Sequence, residues 1–277
     1  MSSIADLMRH SELAAIDARV LLRAALGVND AYLIAHASEA VSPALCDQFR
    51  ALAARRTAGE PVAYLVGERE FYGRPFAVSP AVLIPRPETE LLVELALERL
   101  PPTHSNHVLD LGTGSGCIAI SIALERPRAH VTATDATDAA LGVARGNALR
   151  LNAGNVTFAA GDWFEGFDAL RGLDSARFDV IVSNPPYIAE GDAHLTQGDL
   201  RFEPGMALTG EADGLGCIRS IVAHAADYLL PGGWLLLEHG YDQAAACRAL
   251  LADAGFTQAQ SWCDLAGIER VSGGMAR

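Results

Sequence analysis

Residues 180 to 188 read Val-Ile-Val-Ser-Asn-Pro-Pro-Tyr-Ile. Val180, Ile181 and Val182 form an unbroken run of β-branched residues, the pattern of a strand buried on both faces of a sheet. Pro185 and Pro186 lack the N–H that a ladder needs, so the chain must leave the sheet here. In open α/β sheets ligands gather beyond the carboxyl ends of strands. The stretch therefore sets an amide side chain, a fixed carbonyl and an aromatic ring where such folds do chemistry. The prolines, and the restriction each places on the residue before it, hold the Asn184 side chain and the Pro185 carbonyl as two acceptors at one spot. Two acceptors match the two hydrogens of an NH2 group, and Tyr187 can stack on the planar group that carries it. The same letters also fit a strand that ends in a proline-rich turn, with Tyr187 as packing.

On either side of this stretch, from residue 107 onward, short apolar runs alternate with helical patterns. Strands are expected at Val108 to Leu111, Val131 to Thr134, Val156 to Ala159, Val180 to Ser183, Leu235 to Glu238 and Gly267 to Ser272, and helices at Cys117 to Glu125, Asp138 to Leu151, Ile218 to Leu229 and Gln243 to Ala254. Alternation of this kind predicts right-handed crossovers and a parallel, doubly wound sheet.

The first sixty residues read differently. Leu13, Ile16, Val20, Leu21 and Ala24 recur at helical spacing before Gly27, a second helix is expected at Asp30 to Ala37, and a third runs from Pro43 to Ala58 behind Ser42 as its cap. After Pro61 the pattern turns to short extended pieces at Ala63 to Val66, Glu70 to Tyr72 and Phe76 to Val78, separated by glycine and proline. The expected organisation is a helical bundle over 1–60, a β-hairpin linker over 61–85 and an α/β domain over 86–277. Leu83-Ile84-Pro85-Arg86-Pro87-Glu88-Thr89-Glu90 leads into a helix from Leu91 to Leu100, with its acidic residues suited to the positive end of the helix dipole.

Three further strand ends carry groups of interest. Gly112, Gly114 and Gly116 in Asp110-Leu111-Gly112-Thr113-Gly114-Ser115-Gly116 permit a tight turn and close approach of a ligand to backbone N–H groups at a helix start. The dinucleotide pattern G-x-G-x-x-G would need glycine where the chain has Cys117. Asp135 ends the next strand, spaced to accept hydrogen bonds from ribose hydroxyls, and equally able to cap a turn. Asp162 can meet an adenine amino group while Trp163 covers the ring.

The four strand ends together resemble those of S-adenosylmethionine-dependent methyltransferases that act on a planar NH2 nitrogen. The resemblance extends along the chain through Asp17-Ala18, Val20-Leu21-Leu22, Phe71-Tyr72-Gly73, Leu83 to Leu92, Asp110 to Ala119, Asp162 to Phe164, Ser183 to Ile188, Arg201 to Pro204, Asp213 to Leu215 and Leu236 to Gly240. These residues are similar to the release factor glutamine methyltransferase family, PrmC or HemK, with Ile84 to Glu90 the most telling. The resemblance implies a class I methyltransferase sheet of Rossmann-like form behind a helical substrate-docking domain. It implies methylation of the Gly-Gly-Gln glutamine in class I peptide chain release factors, with S-adenosylmethionine as donor. It assigns Gly112, Thr113, Gly114, Ser115, Gly116, Asp135, Trp163 and Asn184 to the donor, and Asn184, Pro185, Pro186 and Tyr187 to the glutamine. Arg86, Arg201 and Glu203 are further candidates for shaping the acceptor channel. His239 reads as a satisfied structural histidine.

Composition narrows the alternatives. An adenine N6 methyltransferase would use the same four residues, but a net charge of -13 with 21 basic residues suits a phosphate backbone poorly. A donor-binding scaffold without activity and a nicotinamide dehydrogenase fit less of the pattern. The five cysteines are scattered without a C-x-x-C pair, which points to a reducing compartment and no zinc site. With no signal segment and no apolar run of spanning length, the expected location is the cytoplasm.

Overall fold

The computed structural model describes residues 2–168 and 177–277. The chain divides into two compact units, Met1–Glu68 with Gln197–Phe202, and Arg69–Thr196 with Glu203–Arg277.

The first unit is helical: α1 (Ile4–Arg9), α2 (Ala15–Leu26), α3 (Asp30–Ala35), α4 (Pro43–Thr57) and α5 (Val62–Val66). Its core joins Leu21, Leu22, Leu33 and Phe49, with Val62, Leu65 and Val66 packed against them. Gly27 closes α2 at φ 66°, a left-handed C-cap that a residue without Cβ adopts freely. Ser42 caps α4 through Leu45 N–H, as its sequence predicts. Residues 63 to 66, expected as extended, are instead the short helix α5. Pro61 opens it, Gly67 closes it at φ 78°, and burial of its apolar face outweighs the β propensity of its two valines. The sequence reading also passed over α1, which rests on a capping box: Asp6 N–H donates to the Ser3 hydroxyl, and the Ser3 N–H donates to the Asp6 carboxylate. The segment Gln197–Phe202 belongs to this unit. Arg56 pairs with Asp17 at 2.8 Å and with Asp199 at 2.9 Å.

A hairpin follows, β1 (Glu68–Phe71), which lies in the second unit from Arg69 on, and β2 (Arg74–Ala77), and then α6 (Glu90–Glu98). The α/β part follows as β3 (His107–Leu111), α7 (Cys117–Glu125), β4 (His130–Asp135), α8 (Asp138–Leu151), β5 (Val156–Ala160), α9 (Glu165–Asp168), β6 (Phe178–Ser183), α10 (Gly216–Tyr228), β7 (Leu229–Glu238), α11 (Ala244–Asp253), β8 (Thr257–Cys263) and β9 (Glu269–Met275). The seven-stranded sheet has the order β5-β4-β3-β6-β7-β9-β8. Its first five strands are parallel, while β9 runs antiparallel to both β7 and β8. The sheet is thus mixed where a parallel one was expected, because β8 and β9 join as an antiparallel pair at one edge.

Apolar runs that look continuous in sequence divide by strand pleat into two cores. Val108, Val180, Val182 and Leu236 face Leu92, Val93, Ile118 and Ile122 on one side. Leu109, Leu111, Ile181, Leu235 and Leu237 face Ile218, Ile221, Val222 and Leu251 on the other. Burial on both faces of the central strands fixes their register. It brings the ends of β3, β4 and β6 to one edge, because a one-residue slip would turn every side chain to the wrong core.

Candidate active site

At that edge the structure forms a cavity of about 430 Å³. Gly112, Thr113, Gly114, Ser115, Asp135, Asp162, Trp163, Asn184 and Pro186 all line it, together with Arg86 and Thr89. Gly116, Pro185 and Tyr187 stand outside the lining.

The glycine loop is shaped by three left-handed residues, with φ 71° at Gly112, 55° at Gly114 and 82° at Gly116. Each has its own reason. A Cβ at Gly112 would sit 3.5 Å from the Trp163 ring, one at Gly114 would meet nothing within 4 Å, and one at Gly116 would lie 2.8 Å from Ile120 Cδ1 and 3.2 Å from Ala144 Cβ. Gly116 therefore lets α7 and α8 close on each other, while Gly112 and Gly114 keep backbone open to the cavity. Asp110 ties the loop down: it accepts from the Thr113 hydroxyl at 2.7 Å and from Ala119 N–H at 3.2 Å. Burial raises its carboxyl to about 7 against these two hydrogen bonds. Its Oδ1 is buried without a partner among the described residues. Asp135 accepts from Gly114 N–H at 2.9 Å and from Thr137 N–H at 3.0 Å, so it joins the end of β4 to the loop after β3. Trp163 takes φ 42°, a strained value for an aromatic residue, and Thr134 Oγ1 holds its carbonyl at 3.0 Å.

The Asn184 corner is fixed from several directions. The Ser183 hydroxyl donates to Leu111 O at 2.8 Å, and Gln243 Nε2 donates to Tyr187 O at 3.0 Å. Ile188 N–H donates to Leu208 O and Gly210 N–H to Ile188 O, both at 2.9 Å. Gly210 and Gly214 pass so close to the carbonyls of Pro186 and Tyr187 that a Cβ at either would collide with them. Asn184 Nδ2 donates to Thr89 Oγ1 at 3.2 Å, which leaves Oδ1 as its free acceptor. Tyr187 donates to Glu238 Oε1 at 3.4 Å. Burial first, and the Glu238 charge second, hold its hydroxyl well above the ordinary tyrosine value, so it is a neutral donor.

Among the residues set aside as channel candidates, Arg86 pairs with Glu203, whose other oxygen accepts from Ile84 N–H at 3.0 Å. The pair braces the turn that presents Thr89. Arg201 is elsewhere: it belongs to the helical unit and donates to Ala58 O at 3.2 Å. His239 is fully buried between Gly240 O and Ser272 Oγ, each at 2.8 Å, and burial lowers its pKa. It is a structural histidine. Thr89 and Glu238 lay within quoted stretches of sequence without being singled out. The available signal was a carboxylate closing the apolar run Leu235-Leu236-Leu237.

Comparison with known proteins places this geometry. The methyltransferase small domain family matches residues 88–199, and the PrmC N-terminal domain family matches residues 3–67. The chain is 56% identical over 274 residues to the release factor glutamine methyltransferase of Bordetella pertussis, covering 99% of both chains. This chain belongs to the release factor glutamine methyltransferase family. A second member, from Burkholderia pseudomallei, is 55% identical over 278 residues, covering 99% of this chain and 96% of the other. Among solved structures, a methyltransferase from Pyrococcus furiosus shares the fold at a TM-score of 0.53 and 19% identity, covering 80% of this chain and 96% of that one. A T. thermophilus 16S rRNA methyltransferase in complex with AdoMet and guanosine does so at 0.55 and 24%, covering 76% of this chain and 50% of that one. Those two share the Rossmann-like fold of this chain's sheet. Among the described residues no helix is long and apolar enough to cross a membrane.

Proposed function

We propose that this family member transfers a methyl group from S-adenosylmethionine to the side-chain amide nitrogen of the glutamine in the Gly-Gly-Gln motif of class I peptide chain release factors. The observation that carries this reading is the Asn184 amide, held by Thr89 through its NH2 so that Oδ1 stays available on the wall of the cavity that the glycine loop shares.

The donor fits the residues present. Gly114 opens to the cavity, Asp135 sits at the strand end where ribose hydroxyls would lie, and Trp163 offers a ring against Gly112. When bound, S-adenosylmethionine supplies a sulfonium methyl group that is electrophilic without further activation. The protein's task is then alignment. The Gly112 to Gly116 loop, Asp135, Asp162 and Trp163 bind the donor. Asn184 Oδ1 on the cavity wall and the Pro185 carbonyl behind it accept the two amide hydrogens, Pro186 continues the wall while Tyr187 lies outside it with its hydroxyl on Glu238, and the substrate nitrogen is aimed at the methyl group. The same two acceptors favour the positive charge that the nitrogen gains as its bond to carbon forms. The proton is lost to solvent after transfer, so no strong base is needed at the nitrogen.

The helical region, residues 1–60, docks the release factor, the segment 61–85 links it, and residues 86–277 perform the transfer. Labelled methyl offered with a release factor, DNA and RNA side by side tests the reading. Label in the release factor alone supports it, and label in adenine overturns it.

A further inference from the structure

Two segments that border the cavity are joined by a side chain that stands outside it. The corner that ends β6 runs on through Tyr187 to Ile188, and the chain comes back beside it at 208–211 before α10 begins. Ile188 N–H donates to Leu208 O and Gly210 N–H to Ile188 O, each at 2.9 Å, and Glu190 N–H donates to Glu211 O at 3.0 Å. At the base of this narrow pairing is Gln243, half-buried and immediately ahead of α11. Its Oε1 accepts from Gly240 N–H at 2.8 Å, and its Nε2 donates to Tyr187 O at 3.0 Å and to Gly214 O at 3.4 Å. A carboxamide has two hydrogens and one oxygen to offer, and main-chain groups engage all three. They also fix which way it faces, since the flipped amide would set its oxygen against two carbonyls and its NH2 against an N–H. A polar residue at a helix start ordinarily caps the helix, yet this side chain makes no capping bond to α11. Its bonds go to the loops instead. Gly214 takes φ 73°, and a Cβ there would collide with Tyr187 O and lie 2.8 Å from Gln243 Nε2, so the two segments close on each other around this amide. Just beyond Gly214, Gly216 and Cys217 line the cavity, as Asn184 and Pro186 do from the other segment.

We propose that Gln243 is a positioning residue for methyl transfer: by holding Tyr187 O and Gly214 O together it fixes the Asn184 to Tyr187 corner against the start of α10, and so sets where the substrate carboxamide is gripped. The inference rests on the reading of Asn184 and Pro185 as the carboxamide acceptors. Gln243 is not part of the cavity lining and acts only through the main chain of the two segments. Gly112, Gly114 and Asp135 stand at the ends of other strands, β3 and β4, and are held by bonds that do not involve Gln243. Loss of the clamp therefore disturbs the acceptor corner more than the donor groups.

The test compares wild type with Gln243→Met and Gln243→Glu. The first keeps the length of the side chain and removes all three bonds. The second keeps the shape and the bond from Gly240 N–H, but its ionised carboxylate sets an acceptor against two carbonyls. Steady-state methylation of a class I release factor gives kcat, calorimetry gives donor Kd, and amide hydrogen exchange reads the clamp without reference to activity. Both variants should lower kcat about tenfold or more, Gln243→Glu at least as much as Gln243→Met, with donor Kd within about threefold of wild type. Exchange should quicken at 187–190 and 208–216 while β3 and β6 keep their protection. Should Gln243→Met fail to fold, Gln243→Glu decides on the same readings. Wild-type kcat in Gln243→Glu, equal losses of kcat and donor affinity, or exchange unchanged in the two segments would overturn the proposal. A wild type that methylates no release factor overturns the functional reading, and this role with it, even where exchange still reports the clamp.

Discussion

Asn184 has a donor end, held by Thr89, and an acceptor end, which the proposed function assigns to the substrate amide. On that proposal, truncation at this residue removes an acceptor from the place where charge develops on nitrogen. Asn184→Ala should therefore lower kcat on a release factor by about 10²- to 10³-fold, while calorimetry still detects donor binding. The buried carboxylates give a second prediction at this scale. Asp110 and Glu238 are raised to about 7 from ordinary values of 3.8 and 4.5. A raised carboxyl binds its proton more tightly in the folded chain. Its contribution to stability is complete below the ordinary value and is lost as pH rises through about 7. Subtracting the denaturation curves of Glu238→Gln from those of wild type should leave a difference that declines between about pH 4.5 and 7. A flat difference would place the Glu238 carboxyl near its unfolded value. Asn184 and the glycines were legible as residues because prolines and glycines punctuate sequence strongly. Thr89 was not, since a buried hydroxyl declares its contact with Asn184 only when folding brings positions 89 and 184 together.

Elements place these residues, and the contacts between elements are as testable as the side chains. Asn147 on α8 is fully buried; it accepts from Ala77 N–H at 2.7 Å and donates to Ala77 O at 3.0 Å and Ser115 O at 2.9 Å. It ties hairpin, helix and glycine loop together. Asn147→Ala strands buried backbone groups and should cost about 2 to 3 kcal/mol, read as a lower urea midpoint with unchanged m value, together with weaker donor binding. Gly116→Ala combines a left-handed φ with a crowded α7 to α8 approach, and should also lower donor affinity. Most elements follow from hydrophobic period, and the exceptions have physical causes. Helix α5 is too short for a period to emerge and owes its form to burial against the bundle. Strand β8, Thr-Gln-Ala-Gln-Ser-Trp-Cys, is a largely polar edge strand whose register is interrupted, so its pairing comes from backbone rather than from an apolar pattern.

At the scale of the whole molecule, charge and family agree. A chain with a net charge of -13 lacks the basic field that tracks phosphates. Raising salt from about 50 to 200 mM should change KM for a release factor far less than the roughly 10³- to 10⁵-fold loss expected of a protein with many phosphate contacts. A loss of that size would put nucleic acid back in the account. Both the bundle and the α/β sheet could be read from the chain before their coordinates. The antiparallel end of the sheet and the attachment of Gln197–Phe202 to the helical unit could not, because both depend on contacts between distant segments. The most direct measurement is mass spectrometry of a class I release factor incubated with this protein and S-adenosylmethionine. The account predicts one added methyl group on the Gly-Gly-Gln glutamine with wild type and none above background with Asn184→Ala. A methyl on any other residue, or equal modification by both proteins, would contradict it.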